Sequence, residues 1–306
     1  MVPHNLESVI ITPVNKQTKK LFIYILLGVL TVAAAACGAK EPEATPTPTL
    51  EPTPTELPMA ARVNGMGILL SEYQSELQRY QAGIQEAGET YDEAAASQAV
   101  MDELVSQALL AEAAQQQGYS VDDTALQTRL DTLTQEIGGS DKMQGWLSTN
   151  FYTDETFRAA LKRDMQATWM KQQILAEAGT TAEQVHARQI LLTSQEEADA
   201  VMAQLAAGTS FDDLAYQYDE LTGGELGWFP RGYLLQPAIE DAAFSLEPGS
   251  YSGIINTSYG YQIIEVIEKD AQHALSPDAL QFIQRKALNN WLEQQRGQAS
   301  IEILVP

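Results

Sequence analysis

Three polar side chains between residues 185 and 270 could hold and orient a substrate amide. Gln189 and Gln262 lie on segments with strand patterns, and Thr257 lies five residues before Gln262. A glutamine carboxamide carries both donors and an acceptor, so Gln189 and Gln262 could hydrogen-bond to each other and to Thr257. Such a pair keeps its charge near neutral pH, unlike a pair of histidines. The chemistry that fits is orientation of a polar group without proton transfer.

Few residues of the chain could bind a transition metal or act through a thiol. The 306 residues include one cysteine, Cys37, and three histidines. A single cysteine allows no internal disulfide. Beyond the N-terminal 36 residues only His186 and His273 remain, which are too few for a usual four-ligand site. His186 also lies on the opposite strand face from Gln189 by period-two alternation. We therefore predict no metal and no cofactor.

The segments that carry these polar residues alternate between strand and helix patterns. Gly223 and Gly224 predict a turn that only glycine makes at low cost, and Gly208 predicts the end of a helix. The predicted elements are strand 185–193, helix 194–207, helix 211–218, a strand at 226–229, helix 237–244, strand 251–256 and strand 261–267. Their order is β-α-α-β-α-β-β.

This order, together with its local motifs, resembles the parvulin-type, PpiC-like peptidyl-prolyl isomerases. The matching motifs are AR-x-IL, EEA, F-x-x-LA, GG-x-LGWF, RG, AAF and T-x-x-GY-x-I. The resemblance implies a parvulin-like domain at 181–270, with a four-stranded antiparallel sheet flanked by helices. It also implies isomerisation of X-Pro bonds. Such an enzyme needs no cofactor, because it must only bind the twisted amide better than the planar forms.

The resemblance places the family's polar catalytic site on four positions of this chain. These are Gln189 and Gln262 at the two histidine positions, Asp219 at the acidic, Ser or Cys position, and Thr257 at the supporting hydroxyl. Only three residues separate Asp219 from Gly223. Two interpretations of the glutamines stay open: they replace one hydrogen-bonded pair by another, or the fold is kept and the activity is lost.

The same resemblance implies an apolar pocket for the proline ring. Leu234 or Leu235 takes the place of the family's Met, Ile239 takes the place of its Phe, and Phe244 matches the next aromatic residue. The pocket keeps its apolar character but loses its aromatic wall. We therefore predict substrate binding by Leu234, Leu235, Ile239 and Phe244.

Residues 59–180 show helix patterns rich in Ala, Gln, Leu and Glu. An apolar stripe ends near Gly118, and further helices are predicted at 123–137 and 154–178. Ser71 is predicted to cap an earlier helix. The segment ARVNGMGILLSEYQSEL resembles the opening of the N-terminal domain of SurA-like and PrsA-like foldases, in which a short strand leads into a helix.

The C-terminal segment 271–306 has a helix pattern at 277–297 and an apolar strand pattern at 301–305. In the SurA-like family this segment packs on the N-terminal helices. The resemblance therefore implies one mostly helical chaperone domain, 59–180, completed by 271–306 and interrupted by the domain at 181–270. The predicted fold class is α+β.

The first 58 residues carry signals for export and anchoring. Lys16, Lys19 and Lys20 precede an apolar run at 21–36, which as a helix spans only ~24 Å, short of the ~30 Å hydrocarbon core. Residues 1–36 are therefore predicted to be a signal peptide. The run AAAC resembles the bacterial lipobox and implies lipidation of Cys37; an uncleaved helix and plain secretion are the alternatives. The Thr-Pro repeats at 37–58 predict an extended tether.

The chain is strongly acidic, with 18 basic and 41 acidic residues and a net charge of −23. No basic patch is available to neutralise phosphates, which argues against nucleic-acid binding. The leading hypothesis is an extracytoplasmic foldase, lipid-anchored to the cell membrane, that isomerises X-Pro bonds in unfolded exported polypeptides. The alternatives are a non-catalytic holdase with the same fold and a scaffold subunit of a surface complex.

Overall fold

The computed structural model describes residues 57–305, which form two antiparallel sheets surrounded by helices. The predicted signal peptide at 1–36, Cys37 and most of the linker at 37–58 lie outside these residues. The α+β fold class is confirmed, with a mostly helical part and a four-stranded antiparallel sheet flanked by helices. Between residues 57 and 305, no helix is both long and apolar enough to cross a membrane.

The first sheet joins the beginning and the end of the described chain. Its strands are β1 (Met59–Val63), β2 (Met66–Leu69) and β7 (Ile301–Ile303), in the order β2-β1-β7. Asn64 and Gly65 have φ angles of 50° and 86°, the left-handed pair typical of a two-residue hairpin turn. The predicted single strand is therefore a hairpin. Asn64 also makes two hydrogen bonds to Ser300. Its backbone amide donates to the Ser300 carbonyl at 2.9 Å, and its Oδ1 accepts from the Ser300 amide at 2.8 Å.

Five helices separate the two sheets along the chain. They are α1 (Leu70–Glu86), α2 (Glu93–Gln116), α3 (Asp123–Glu136), α4 (Ser140–Thr149) and α5 (Asp154–Glu177). The sequence patterns miss α4, because it begins directly after two helix-ending glycines. The prediction that Ser71 caps α1 is wrong. The cap position is Leu69, because β2 runs directly into the helix and the amide of Leu70 donates to the Pro58 carbonyl at 2.9 Å.

The last helix, α9 (Pro277–Gln298), packs on α2 and α5. Its apolar face contacts a buried cluster that includes Ala114 and Met170. At its end, the Arg296 guanidinium donates to the Asp102 carboxylate of α2 at 2.8 Å. The contacting residues of α9 are Ala287, Leu288, Trp291 and Leu292.

A nearly buried ion pair joins α1 to α5. The Arg163 guanidinium donates to both carboxylate oxygens of Glu72, and the Nη2–Oε2 contact measures 3.1 Å. The two side chains are 13 % and 10 % exposed. Because little water reaches either group, removing one partner leaves the charge of the other buried and uncompensated.

Tyr152 lies beside this pair, with the Arg79 guanidinium 3.9 Å from its ring centroid. Burial and the negative charge of Glu76 raise the pKa of Tyr152 to about 12. An unfolded tyrosine ionises near pH 10, so the folded state loses stability as the pH rises from about 10 to about 12. We expect Tyr152→Phe to lose less stability than the wild type over this range, measured as the urea midpoint at each pH.

The matched control is Tyr259→Phe, which removes a hydroxyl from a side chain that is 64 % exposed. Each protein's urea midpoint at alkaline pH is compared with its own midpoint at neutral pH. Any stability that the Tyr152 hydroxyl contributes at neutral pH therefore does not enter the comparison. Equal alkaline losses in the wild type and in Tyr152→Phe would contradict the prediction.

The second sheet has the strand order β4-β3-β6-β5, with every neighbouring pair antiparallel. Two helices cover one face and one helix covers the other. Its strands are β3 (Thr181–Leu192), β4 (Glu225–Pro230), β5 (Ile255–Thr257) and β6 (Gly260–Ala274). Its helices are α6 (Gln195–Ala206) and α7 (Phe211–Tyr218) on the first face, and α8 (Pro237–Ser245) on the second.

The predicted strand at 251–256 is mostly wrong, since regular pairing covers only Ile255–Thr257. Ahead of it, Tyr251 makes a single bridge to Glu265. The hydroxyl of Ser252 then accepts from the amide of Ile264 at 3.0 Å, a position that a backbone carbonyl would hold in a regular ladder. Strand β6 continues past the predicted end of the domain at residue 270, and its last residue, Ala274, pairs with Thr181.

Candidate functional site

The two glutamines lie on the α8-covered face of the second sheet, on its two central strands. Gln189 on β3 is paired with Ile264, and Gln262 on β6 is paired with Leu191. They are therefore diagonal neighbours, roughly 7–8 Å apart by sheet geometry. Ala187 and Ile264 share this face and are buried under α8. The structure thus brings both predicted positions to one surface of the sheet.

The carboxamide of Gln262 is held by two hydrogen bonds at 1 % exposure. Its Nε2 donates to Thr257 Oγ1 at 2.8 Å and to Gln236 Oε1 at 2.6 Å. The Thr257 hydroxyl in turn donates to the Gly260 carbonyl at 2.9 Å and accepts from the Tyr259 amide at 3.2 Å. The structure therefore places Thr257 in contact with Gln262, across the turn that joins β5 to β6.

The predicted hydrogen bond between Gln189 and Gln262 is wrong. The donors of Gln262 are taken by Thr257 and by Gln236, which stands at the N-cap of α8. Gln189 is half-buried, and its side chain makes no hydrogen bond to any residue between 57 and 305. Its carboxamide is consequently available to a ligand on this face.

Asp219 lies at the C-cap of α7 and bonds to its own loop. Its carboxylate accepts from the amides of Leu221 and Thr222 at 3.2 Å, from the amide of Gly224 at 3.3 Å and from the Thr222 hydroxyl. The Thr222 hydroxyl and these amides lower the pKa of Asp219 below its usual range. The carboxylate is thus turned toward the loop, so its observed contacts support the loop and none reaches the glutamines.

The loop that Asp219 stabilises places Gly224 in contact with the backbone of Gln189. The amide of Gln189 donates to the Gly224 carbonyl at 2.8 Å. Gly224 has a φ of 69°, and a Cβ built on it would lie 1.8 Å from the Gln189 carbonyl oxygen. Only glycine fits this approach, which sets where β3 presents the Gln189 side chain.

The four predicted pocket residues separate into three packed ones and an exposed one. Ile239 and Phe244 on α8 are buried in the cluster under the sheet, and Leu234 packs against them. Leu235 is 91 % exposed. Of the two candidates for the family's Met position, Leu234 is therefore the one that meets the apolar wall.

The sequence patterns do not identify two further candidate site residues, Gln236 and Glu240. The carboxylate of Glu240 accepts from the amides of Gly232 and Leu234, at 2.5 and 3.2 Å, and so holds the loop before α8. Gln236 is the residue before Pro237. A proline at the first helical position marks its predecessor as the cap, which is the signal that could have drawn attention to Gln236.

His186 lies on the opposite face from the glutamines, as predicted. Its Nε2 is 2.7 Å from Glu225 Oε1. Its ring stacks near Trp228 at a centroid distance of 5.3 Å, and Trp228 stacks on His273 at 3.9 Å. Both histidines of the described chain are therefore engaged with Trp228, away from the glutamine face.

Two family models match the chain, one for each part of the fold. The model described as the SurA-like N-terminal domain matches residues 10–171, which is more than half of the chain. The model described as the PPIC-type PPIASE domain matches residues 169–270, which contain the glutamine face.

Several similar proteins are named as foldases. Foldase protein PrsA of Oceanobacillus iheyensis is 29 % identical over 182 residues, covering 57 % of this chain and 58 % of that protein. PrsA of Halalkalibacterium halodurans is 28 % identical over 234 residues, covering 68 % and 69 %. The chain spans about half the length of the first curated relatives that it matches.

A solved structure is also similar, namely the peptidylprolyl isomerase PrsA from Bacillus cereus. It is 20 % identical, with a TM-score of 0.42, and the match covers 79 % of this chain and 88 % of that one. The match to the SurA-like N-terminal domain covers more than half of the chain and shows its family. The chain belongs to the family with a SurA-like N-terminal domain, and it carries a PPIC-type peptidyl-prolyl isomerase domain after it.

Proposed function

We propose that this protein is an extracytoplasmic foldase that isomerises X-Pro bonds in unfolded exported polypeptides. The observation that carries the proposal is the single sheet face on which Gln262, fixed by Thr257, and the open carboxamide of Gln189 lie above an apolar wall. The residues of that wall are Leu234, Ile239 and Phe244. Polar groups beside an apolar surface are what an X-Pro segment requires.

Isomerisation of an X-Pro bond requires binding rather than proton transfer. Rotation about an X-Pro bond is slow because resonance makes the amide planar. A protein accelerates the rotation if it binds the twisted amide more tightly than either planar form. The apolar wall removes water from the proline ring, and the free donor of Gln189 can bond to the carbonyl before the proline. Neither step requires a histidine.

We also propose the arrangement around this domain from the sequence. Residues 1–36 act as a signal peptide, Cys37 carries the lipid that holds the protein at the membrane, and 37–58 is the tether. Residues 59–180 with 271–306 form the chaperone domain, and 181–270 form the isomerase domain. The net charge of −23 supports the view that nucleic acid is not a partner.

The test is refolding of a protein whose slow phase is limited by proline isomerisation. Uncatalysed, this phase takes about 10–100 s at 25 °C. We expect micromolar wild-type protein in the folded state to shorten it by at least about twofold, which corresponds to an observed barrier lower by ~0.4 kcal/mol. An unchanged slow phase would overturn the enzymatic proposal.

The double variant Gln189→His/Gln262→His separates the polar pair from the apolar wall. A higher rate than the wild type would show that the glutamines limit the activity. An unchanged rate would place the limit in the wall of Leu234 and Ile239. Folding of the variant is checked by circular dichroism before the rates are compared.

A second candidate function, a non-catalytic holdase, is favoured by a groove in the helical part. The groove lies between α2 and β7 and has a volume of about 740 Å³. Its lining includes the apolar residues Tyr73, Ala94, Met101, Val105, Ile301, Ile303 and Val305, with polar and charged side chains beside them. An extended apolar segment of an unfolded client fits such a lining. Suppressed aggregation of an unfolded client, without acceleration of the slow phase, would favour this function.

A further inference from the structure

The carbonyl oxygen of Gln262 is a buried acceptor with no hydrogen-bond partner between residues 57 and 305. A buried polar atom without a hydrogen-bond partner is unfavourable in the folded state. Its neighbours Leu191, at 46 % exposure, and Gln236, half-buried, belong to the surface above it. Gln262 therefore lies on the sheet face that carries Gln189, next to two side chains that reach solvent.

The orientation of this carboxamide is fixed by the chemistry of its partners. The Thr257 hydroxyl has one hydrogen, which it donates to the Gly260 carbonyl. Toward Gln262 it can only accept, so the atom of Gln262 that faces it must be Nε2. Gln236 takes the second hydrogen of the same nitrogen. With both donors used, Oε1 is left to accept from a ligand.

A bound X-Pro segment supplies a matching donor. Proline itself has no N–H, but the residues on either side of it each have one. We propose that Gln262 Oε1 accepts a backbone N–H of the client beside its X-Pro bond, and that Gln236 and Thr257 are positioning residues that hold the oxygen in place. This inference rests on the proposed function, because it needs the glutamine face to receive an X-Pro segment.

Gln236 gives the arrangement a second role. It stands at the N-cap of α8 but makes no capping hydrogen bond, because its side chain reaches Gln262 instead. The helix that it begins carries Ile239 of the apolar wall. The contact therefore ties the polar acceptor on β6 to the apolar wall on α8, so that both present a fixed geometry to the client.

The test compares an X-Pro peptide with two ester analogues. In each analogue one N–H is replaced by oxygen, either that of the residue before the proline or that of the residue after it. We expect one of the two esters to bind the wild type about fivefold to tenfold more weakly than the amide, as for loss of one net hydrogen bond. Dissociation constants are measured by fluorescence titration, and isomerase rates by the proline-limited assay.

Three variants show whether Gln262 and its anchor are responsible. Gln262→Met removes the acceptor, so the amide and both esters should bind with equal affinity. Gln236→Met frees the carboxamide to rotate and should reduce the ester penalty to within about twofold. Gln236→Glu keeps an oxygen that accepts from Nε2, and it should restore the penalty. Because a merely structural defect weakens all three peptides alike, the ratio between them isolates the positioning role.

Each outcome decides between this inference and the proposed function. An ester penalty in binding without isomerase activity supports the inference and overturns the enzymatic proposal. Isomerase activity with equal affinities for the amide and both esters overturns the inference alone. The same penalty in the wild type and in Gln262→Met, or no binding of any of the peptides, also overturns it.

Discussion

Gly224→Ala is expected to destabilise the second sheet by roughly 3 kcal/mol or more, the sum of backbone strain and overpacking. The added Cβ would lie 1.8 Å from the carbonyl oxygen of Gln189, so the backbone of one strand must move. A left-handed φ of 69° adds strain for any residue with a Cβ. The shift also breaks the 2.8 Å hydrogen bond from the Gln189 amide. Native-state hydrogen exchange of β3 and β4 amides measures the loss.

Gly227→Ala is the matched control for this change. Gly227 has nearly the same left-handed conformation, with a φ of 70°, but a Cβ there would meet no atom within 4 Å. It should therefore cost only the conformational part, about 1–2 kcal/mol. The difference between the two variants measures the contact with Gln189, and equal losses would contradict the close approach.

Glu72→Ala is expected to cost about 3–5 kcal/mol, the range for breaking a buried ion pair by removing one partner. The Arg163 guanidinium, at 13 % exposure, would keep its charge in a site with little access to water. The urea midpoint of the helical part, followed by circular dichroism, measures the loss. The pair links α1 to α5, so we expect the packing between these two helices to be lost first when Glu72 is replaced.

A double variant separates the worth of the pair from the penalty of breaking it. Glu72→Leu/Arg163→Met removes both charges and fills the space with apolar atoms, so most of the stability should return. Glu183→Ala is the surface control, because the Glu183–Arg231 pair has side chains more than half exposed and should change stability by less than about 1 kcal/mol. A double variant as unstable as Glu72→Ala would contradict the explanation by an uncompensated charge.

The sequence predicts those parts of the fold that depend on local patterns. Helix α6 matches the predicted helix to within a residue at each end because Ser194 forms a local capping box with Glu197, and α7 spans the predicted residues because its apolar positions repeat locally. The strand at 251–256 fails for the opposite reason. Its pairing is interrupted by the side chain of Ser252, which replaces a backbone acceptor, and no local pattern announces that exchange.

In the candidate site, too, the sequence predicts the local contact but not the contacts that depend on loops. Thr257 and Gln262 are predicted to be able to hydrogen-bond, and they do, because a tight turn pairs Thr257 with Gly260 and so places Gln262 diagonally opposite on the adjoining strand. The contact from Gln236 depends instead on how the loop before α8 crosses the sheet. Asp219 likewise turns toward its own loop, since the short segment before Gly224 supplies several amide donors within reach. Such long-range or loop geometry has no periodicity to detect.

The pairing of β7 with β1 has a consequence for the order of folding during synthesis. The hydrogen bond between Asn64 and Ser300 joins residues 236 positions apart, whereas every strand of the second sheet lies within residues 181–274. A polypeptide that emerges N-terminus first can therefore complete the second sheet while β1 still waits for its partner. Until then β1 presents an open edge, which is a hazard for misassembly. The domain built on the second sheet would thus be the earlier of the two to mature.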